Sequence, residues 1–353
     1  MLVVSIFITL GTGCEPDQES EFTRYTNSFY DTFDTMVSFV AYTKTEAEFD
    51  SYFSSVQARF QELHKLYDLY NDYPGVNNIK TINDNAGIEP VAVAQELFDL
   101  IKISKEWYFA HHGRMNITLG PVLKIWHDYR TEGLDFPETA QIPPIKALRQ
   151  AEELAVMENV QLDEENNTVF LSEVGMRLDI GAIAKGYAAE LVGRELTAAG
   201  LESGAINAGG NIRTIGQPLG GQRAHWSVGI FDPDSHLVSA DRNLDTVYIN
   251  DGAVVSSGDY QRYYYVDGQK YHHLIDPVTL MPADYYRAVT VVCEDSGYAD
   301  LVSTELFLLP YEKSRALADS LDDVEAFWVM PDGEIRVTEG LKDILHSYTS
   351  SDN

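Results

Sequence analysis

One stretch, from Leu178 to Ala189 (LDIGAIAKGYAA), constrains the fold and the chemistry of this chain more than any other. Its residue order predicts a short apolar strand that ends on Asp179, crosses glycine and alanine, and enters a helix. Small residues allow a ligand to approach the backbone, and free amides at a helix start favour anionic groups. Asp179 and Lys185 lie on either side of that helix start, so an acidic and a basic group can face one polar ligand. An ordinary strand-to-helix turn with a surface lysine fits the same residues equally well.

The composition of the chain excludes several classes of protein. Of 353 residues, 44% are hydrophobic, which is enough for a substantial core and argues against global disorder. The formal net charge of −30 argues against binding to nucleic acid or to anionic lipid, because phosphates require a basic face. An anionic ligand would need a local cation. The chain has two cysteines, Cys14 and Cys293, and no CxxC pair, so a zinc site is not expected.

The amino-terminal residues are apolar and then small. Residues 1–13 (MLVVSIFITLGTG) are too few to span a bilayer as a helix, but they suit the apolar region of a secretory signal. Cys14 follows directly, and the polar, acidic segment after it completes a resemblance to a bacterial lipoprotein signal. We therefore expect a signal at 1–13, lipidation of Cys14, a flexible tether at 14–25, and an extracytoplasmic protein anchored to the cell membrane. A cleaved signal, or a frayed terminus with a free thiol, is the alternative.

The remaining chain, 26–350, mixes helix and strand patterns. Apolar residues from Phe49 to Tyr70 recur at steps of four and three, which predicts one long amphipathic helix, and turn-forming residues predict a loop at 71–85. Other helices are predicted at about 91–110, 143–157, 185–200, 298–309 and 313–321, and strands at 33–42, 160–162, 169–171, 205–211, 226–230, 246–249, 254–257, 263–266, 271–275 and 289–293. Strands and helices do not alternate strictly, so we predict an α+β fold. We expect one domain of two interlocked subdomains, with mostly antiparallel or mixed sheets flanked by helices.

A carboxylate and a hydroxyl lie four residues apart in the helix predicted at 298–309. Asp300 and Thr304 would share one face of that helix, one turn apart. Two hard oxygens on a rigid element suit Mg²⁺ that also binds substrate phosphates. Spacing alone favours a structural role, because an aspartate in a first helical turn satisfies free amides and a threonine can simply pack.

Two adjacent histidines end a predicted strand beside a turn. A histidine in such a place is a candidate general base, since its unperturbed pKa is about 6.5. We expect His272 to pack and hydrogen-bond, and we assign the chemistry to His273. Arg262, Lys270 and Arg287 lie nearby in the sequence and could offset negative charge, although surface or sheet-edge positions are the simpler interpretation.

Six motifs in the same order give the chain a resemblance to the FAD:protein FMN transferase (ApbE) family. The stretch at 178–189 resembles the family's D-[IL]-G-[GA]-I-A-K-G-Y, and 299–307 resembles its A-D-[AL]-x-[AS]-T-[AS]-L-F. The other four are TLGP at 118–121, NAGGN at 207–211, SGDY at 257–260 and HHLIDP at 272–277. The chain departs from the family at Met36-Val37-Ser38, where the family has M-G-T, at 71–85, which replaces a serine-containing loop, and at Leu280, which replaces a glycine. These departures concern the contacts to the flavin ring.

The resemblance implies an ApbE-like fold and a Mg²⁺-dependent enzyme that transfers the FMN part of FAD to a threonine hydroxyl and releases AMP. The threonine would belong to a redox or respiratory subunit. The resemblance implies that Mg²⁺ is held by the Ala182 carbonyl, Asp300 and Thr304, and we assign proton abstraction to His273. The residues expected to contact FAD are Met36, Tyr70, Thr118, Leu119, Gly120, Asp179, Lys185, His273 and Leu274.

Two alternative functions use the same residues. If water replaces the threonine, the protein is a Mg²⁺-dependent FAD pyrophosphatase that yields FMN and AMP. The non-enzymatic alternative is a lipid-anchored protein that stores or delivers FAD. The pair Asp300 and Thr304 argues against this last function, because a binding protein has no need of a metal at the scissile bond.

Overall fold

Strands form the framework of the molecule. The computed structural model describes residues 21–221, 223–235 and 243–349, so the expected signal at 1–13 and Cys14 lie outside the described residues. The described strands are β1 (Thr23–Thr32), β2 (Thr35–Thr43), β3 (Val91–Ala92), β4 (Val160–Asp163), β5 (Thr168–Leu171), β6 (Gly204–Ala208), β7 (Asn211–Ile215), β8 (Trp226–Phe231), β9 (Asn243–Ile249), β10 (Ala253–Gly258), β11 (Tyr263–Val266), β12 (Gln269–His272), β13 (Ala288–Cys293), β14 (Glu325–Val329) and β15 (Ile335–Val337). Eight of these described strands form one sheet with antiparallel neighbours throughout, in the order β1-β2-β6-β7-β10-β13-β14-β15. Smaller sheets are β3-β5-β4, β8-β9 and β11-β12.

Helices cover this framework, which confirms the predicted α+β fold. The described helices are α1 (Glu46–Tyr67), α2 (Ile79–Asp84), α3 (Gln95–Ala110), α4 (Gly120–Asp135), α5 (Ile145–Glu152), α6 (Ala184–Ala198), α7 (Ser296–Phe307), α8 (Tyr311–Ala318) and α9 (His346–Thr349). The predicted stripe on α1 is buried at Phe49, Val56, Phe60, Leu63 and Tyr67. In the ranges that the structure describes, none of these helices is both long enough and apolar enough to cross a membrane.

The helix α7 lies in the interior and positions the predicted pair of oxygen ligands. Of its 12 residues, all but Tyr298 are buried. It packs against α6 on one side and against β10 and β13 of the large sheet on the other. The hydroxyls of Ser257 on β10 and Ser303 on α7 lie 3.0 Å apart, so a polar contact fixes the helix on the sheet. Asp300 and Thr304 are therefore held on a rigid, buried element.

The stretch at 178–189 folds differently from the prediction at its beginning. Leu178–Ile180 is not part of a sheet in the described chain. The Asn83 side chain takes the place of a strand partner, because its Oδ1 accepts from the Leu178 amide (2.7 Å) and its Nδ2 donates to the Leu178 carbonyl (3.0 Å). The Asp179 amide donates to the Ile117 carbonyl (2.8 Å). The predicted helix after this segment is present as α6, and Gly200 follows it with φ of +94°.

Several predicted boundaries are wrong, some of them because of a local capping or pairing interaction. β1 begins at Thr23, so the last residues assigned to the tether at 14–25 are strand. Residues 71–85 contain a short helix, α2, because the side chains of Asn78 and Thr81 cap its start reciprocally. α1 ends at Tyr67, which places Tyr70 in the following loop rather than on the helix. Residues 91–92 pair as β3, so α3 begins only at Gln95, and α5 ends at Glu152 rather than near 157.

Gly186 allows α6 and α7 to approach each other closely. A Cβ at this position would overlap the Ser296 carbonyl and the Asp300 side chain. The Gly186 amide donates to Asp300 Oδ2 (2.8 Å), and the Ser296 hydroxyl donates to the Gly186 carbonyl (2.7 Å). The glycine is therefore required for the contact that holds Asp300.

We expect Gly186→Ala to lower the free energy of unfolding by about 1–3 kcal/mol, the usual cost of overpacking an interior. Gly193→Ala on the same helix is the matched control. The added Cβ would lie 3.1 Å from Cγ of Arg213, and this flexible side chain can move away. Urea denaturation of both variants measures the difference. Equal losses of stability would contradict the special role of Gly186.

Candidate active site

A cavity of about 290 Å³ lies between α4, the loop before α6, and the residues around the β11-β12 hairpin. Seven residues predicted from the sequence line it, namely Tyr70, Leu119, Asp179, Ala182, His273, Leu274 and Thr304. These residues come from five separate parts of the chain. The fold thus brings most of the predicted flavin contacts and two of the predicted metal ligands to one place.

The candidate metal ligands meet at the contact between α6 and α7. Thr304 Oγ1 lies 3.4 Å from the Ala182 carbonyl oxygen, and Asp300 is one helical turn away with 4% of its surface exposed. Asp300 Oδ2 accepts hydrogen bonds from the Gly186 amide (2.8 Å) and from Asn211 Nδ2 (2.7 Å). In the described part of the chain, Asp300 Oδ1 accepts no hydrogen bond. One carboxylate oxygen is therefore fixed by the fold and the other is available to a ligand.

Lys185 offsets part of the negative charge of Asp300 without forming an ion pair with it in the described structure. Burial raises the pKa of Asp300, while Lys185 and the hydrogen bonds from Gly186 and Asn211 oppose that rise. Burial lowers the pKa of Lys185, which Asp300 raises and Arg262 lowers further. Lys185 is half-buried and is not part of the cavity wall, in contrast to Asp179. The two groups that flank the start of α6 thus have different surroundings.

The two adjacent histidines have different roles in the structure. His272 is buried: its Nε2 donates to the Ala283 carbonyl (2.8 Å), its Nδ1 accepts from the Leu274 amide (3.2 Å), and its ring packs edge-on against Phe307. His273 Nδ1 lies 3.1 Å from the Gln261 carbonyl oxygen. Since a carbonyl only accepts, Nδ1 of His273 carries the proton and Nε2 keeps a free lone pair. His272 therefore packs, as expected, and His273 has the form of a base.

The surroundings of His273 keep it neutral. Burial lowers its pKa well below the usual range, and the positive charges of Arg262, Lys185 and Arg130 lower it further. A lower pKa means that the neutral ring persists into more acidic solution. His273 can therefore accept a proton at neutral pH.

Three other residues predicted to contact FAD, Met36, Thr118 and Gly120, do not line the cavity. Met36 is 42% exposed on β2 and does not line the cavity. Thr118 is buried, and its hydroxyl donates to Asn116 Oδ1 (2.6 Å), while a Cβ on Gly120 would overlap the Arg177 carbonyl. Tyr70 is 52% exposed at the cavity, where its ring lies 5.3 Å from that of His127. Thr118 and Gly120 thus have structural contacts, and neither lines the cavity.

The sequence analysis missed several residues that line the cavity. Lys270 and Arg287 both pair with Asp259, at 2.6 and 2.8 Å, and so have the structural position that we preferred for them. Arg262 is exposed and directly precedes β11, as we preferred for it, but it also lines the cavity. Four cavity residues on α4 were not considered at all, although their helical spacing is a usable signal: Leu123, Trp126, His127 and Arg130.

Comparison with known proteins places the chain in a family. The model of the ApbE family matches residues 33–328. The FAD:protein FMN transferase of Klebsiella pneumoniae (strain 342) is 34% identical over 277 residues, which cover 78% of this chain and 82% of that protein. The FAD:protein FMN transferase of Treponema pallidum (strain Nichols) is 35% identical over 279 residues, covering 75% and 74%.

A solved structure agrees with this assignment. The crystal structure of the ApbE protein from Thermotoga maritima superposes with a TM-score of 0.79 at 27% identity, and the match covers 91% of this chain and 99% of that one. Family model, curated relatives and fold therefore agree, and the chain belongs to the ApbE family.

Proposed function

We propose that this protein transfers the FMN part of FAD to a threonine hydroxyl of a partner protein, with the help of Mg²⁺, and releases AMP. Membership of the ApbE family and the names of its relatives support FMN transfer from FAD to a protein. The observation that carries the proposal is the cavity itself, because it places a neutral His273 together with the oxygens of Ala182 and Thr304. A general base beside oxygen atoms that can hold a phosphate-binding metal suits a displacement at phosphorus.

The residues at the contact between α6 and α7 fit a magnesium ion. They offer one carboxylate, one hydroxyl and one main-chain carbonyl, which are the hard oxygen donors that Mg²⁺ prefers, and a single carboxylate leaves ligand positions for substrate phosphates. When bound, Mg²⁺ would neutralise negative charge on the pyrophosphate as AMP leaves. Ala182, Asp300 and Thr304 would hold it.

The chain's own groups account for the other parts of the reaction. His273 accepts the proton of the threonine hydroxyl at Nε2, while the threonine oxygen forms a bond to the phosphorus of FMN and the bond from that phosphorus to the AMP oxygen breaks. Tyr70 and Leu119 supply an aromatic and an aliphatic surface for the flavin or the adenosine. Asp179, whose Oδ1 accepts from the Gly181 amide (2.9 Å), is held in place to hydrogen-bond the ligand.

The direct test of this function uses FAD, Mg²⁺ and an acceptor domain that carries the target threonine. We expect flavin fluorescence on the denatured acceptor, equimolar AMP, and no labelling of an acceptor with threonine replaced by valine. Free FMN and AMP without labelling would instead favour the FAD pyrophosphatase. Bound but intact FAD would favour a storage or delivery protein and contradict the proposal.

Thr304→Val should lower the Mg²⁺-dependent transfer rate at least about tenfold, since losing one group of a metal site commonly costs that much. The variant keeps the side-chain shape but removes the hydroxyl. Thr304→Ser, which restores the hydroxyl, is the control and should stay close to the wild type. Titrating the rate against Mg²⁺ concentration measures both, and equal rates for the valine and serine variants would remove Thr304 from the site.

His273→Asn should slow transfer by about 10²–10⁴-fold, the usual contribution of a general base, with a much smaller effect on FAD affinity. Because burial and nearby cations lower the pKa of His273, the acidic limb of kcat/KM for the wild type should lie below pH 6.5. Stopped-flow transfer rates and flavin fluorescence titrations separate the two effects. A loss confined to FAD binding, or an acidic limb above pH 6.5, would show that His273 is not the base.

We also propose that Cys14 is lipidated and holds the protein on the outer side of the membrane, as the residues from 1 to 20 suggest. The acceptor would then be an exposed redox or respiratory subunit. Cys14→Ala should release the protein from the membrane fraction of cells that express the full chain. Continued membrane association of that variant would contradict the anchor.

A further inference from the structure

The cavity wall carries more positive charge than the composition of the chain suggests. Arg114, Arg130 and Arg262 line it, in a protein with a formal net charge of −30. Arg114 is neutralised by Asp276 at 2.6 Å. Among the residues that the structure describes, neither Arg130 nor Arg262 forms an ion pair with a carboxylate.

These two arginines also act on each other. Burial lowers the pKa of Arg130, and the charge of Arg262 lowers it further, which shows that the two like charges are close enough to repel. Arg130 donates to His127 Nδ1 (3.0 Å) and Arg262 donates to the Phe33 carbonyl (3.4 Å), so each uses one of its five N–H groups on a neutral acceptor. Arg262 is exposed and Arg130 is partly buried, so water screens part of their repulsion, and an anion bound between them would offset the rest.

The backbone at Arg262 gives a second, independent observation. Arg262 has φ of +47°, a left-handed conformation that residues with a side chain adopt uncommonly and that occurs at functional sites as well as in turns. The residue before it, Gln261, provides the carbonyl that holds His273 Nδ1 at 3.1 Å. One turn therefore orients the His273 ring and directs the Arg262 guanidinium to the same cavity.

We propose that Arg262 and Arg130 form an anion clamp that binds a phosphate group of the flavin dinucleotide beside His273. The identity of the anion rests on the proposed function, while the clamp itself rests on the two unpaired guanidinium groups in the cavity. Guanidinium groups bind phosphate oxygens through paired, charge-assisted hydrogen bonds. The clamp supplies the local cation that a strongly acidic chain requires to hold such a ligand.

The test compares FAD with riboflavin, which has the flavin ring but no phosphate, and with inorganic pyrophosphate, which has phosphates but no ring. Dissociation constants of FAD and riboflavin are measured by flavin fluorescence, and that of inorganic pyrophosphate by calorimetry, with the full chain. Arg262→Asn is the informative variant, because asparagine tolerates the left-handed backbone but has no charge. We expect it, and likewise Arg130→Gln, to weaken FAD and pyrophosphate at least about tenfold, as expected for a charge-assisted contact, and to leave riboflavin unchanged.

Two control variants sharpen the result. Arg262→Lys keeps the charge and should lose less affinity for FAD than Arg262→Asn does. Arg149→Asn removes an exposed arginine on α5 that does not line the cavity, and it should change nothing. Melting temperatures establish that each variant is folded.

Unchanged affinities for FAD and pyrophosphate in Arg262→Asn and Arg130→Gln would overturn the clamp. Equal losses for FAD and riboflavin would also overturn it, since the arginines would then act on the ring or on the fold. A wild-type protein that does not bind FAD would refute the proposed function instead. The pyrophosphate titration would then still decide whether the clamp exists.

Discussion

The structure depends on one buried carboxylate. Asp300 has almost no exposed surface, and its Oδ2 receives the amide of Gly186 from α6 and the amide group of Asn211 from β7. A buried carboxylate is costly unless it is hydrogen-bonded or paired with a cation, so these contacts fix α6, α7 and the β6-β7 hairpin relative to one another. Among the described residues, Oδ1 of the same carboxylate accepts no hydrogen bond. One side chain thus joins three elements of the fold and keeps one oxygen without a partner in the described chain.

The surrounding elements follow from that constraint. Gly209 and Gly210 have positive φ values in the tight β6-β7 turn, and the strand after it begins with Asn211. Gly186 permits the close approach of α6 and α7, which brings the carbonyl of Ala182, just before α6, next to the hydroxyl of Thr304 on α7. On the other side of the cavity, one turn holds both His273 and Arg262. The cavity wall thus contains three arginines, although the formal net charge of the chain is −30.

Much of this could be predicted from the sequence, and the failures have physical reasons. The amphipathic pattern of α1 and the glycine-rich turns are local signals, and both are seen in the structure. β1 was not recognised because it is a mostly exposed edge strand with polar residues and so has no apolar run. Leu178–Ile180 reads as a strand, but a distant asparagine side chain satisfies its backbone instead. The position of Arg262 at the cavity depends on contacts between segments far apart in sequence. A local sequence pattern carries no information about such contacts.

The central claim is that Asp300, Thr304 and the Ala182 carbonyl form a metal site that faces the cavity containing His273. The most direct measurement is anomalous diffraction from crystals grown with Mn²⁺ in place of Mg²⁺ and with FAD. The account predicts one strong anomalous peak within coordination distance of Asp300 Oδ1, Thr304 Oγ1 and the Ala182 oxygen, next to the pyrophosphate of FAD. A peak elsewhere in the molecule, or FAD bound in this cavity at full occupancy with no peak beside Asp300, would contradict it.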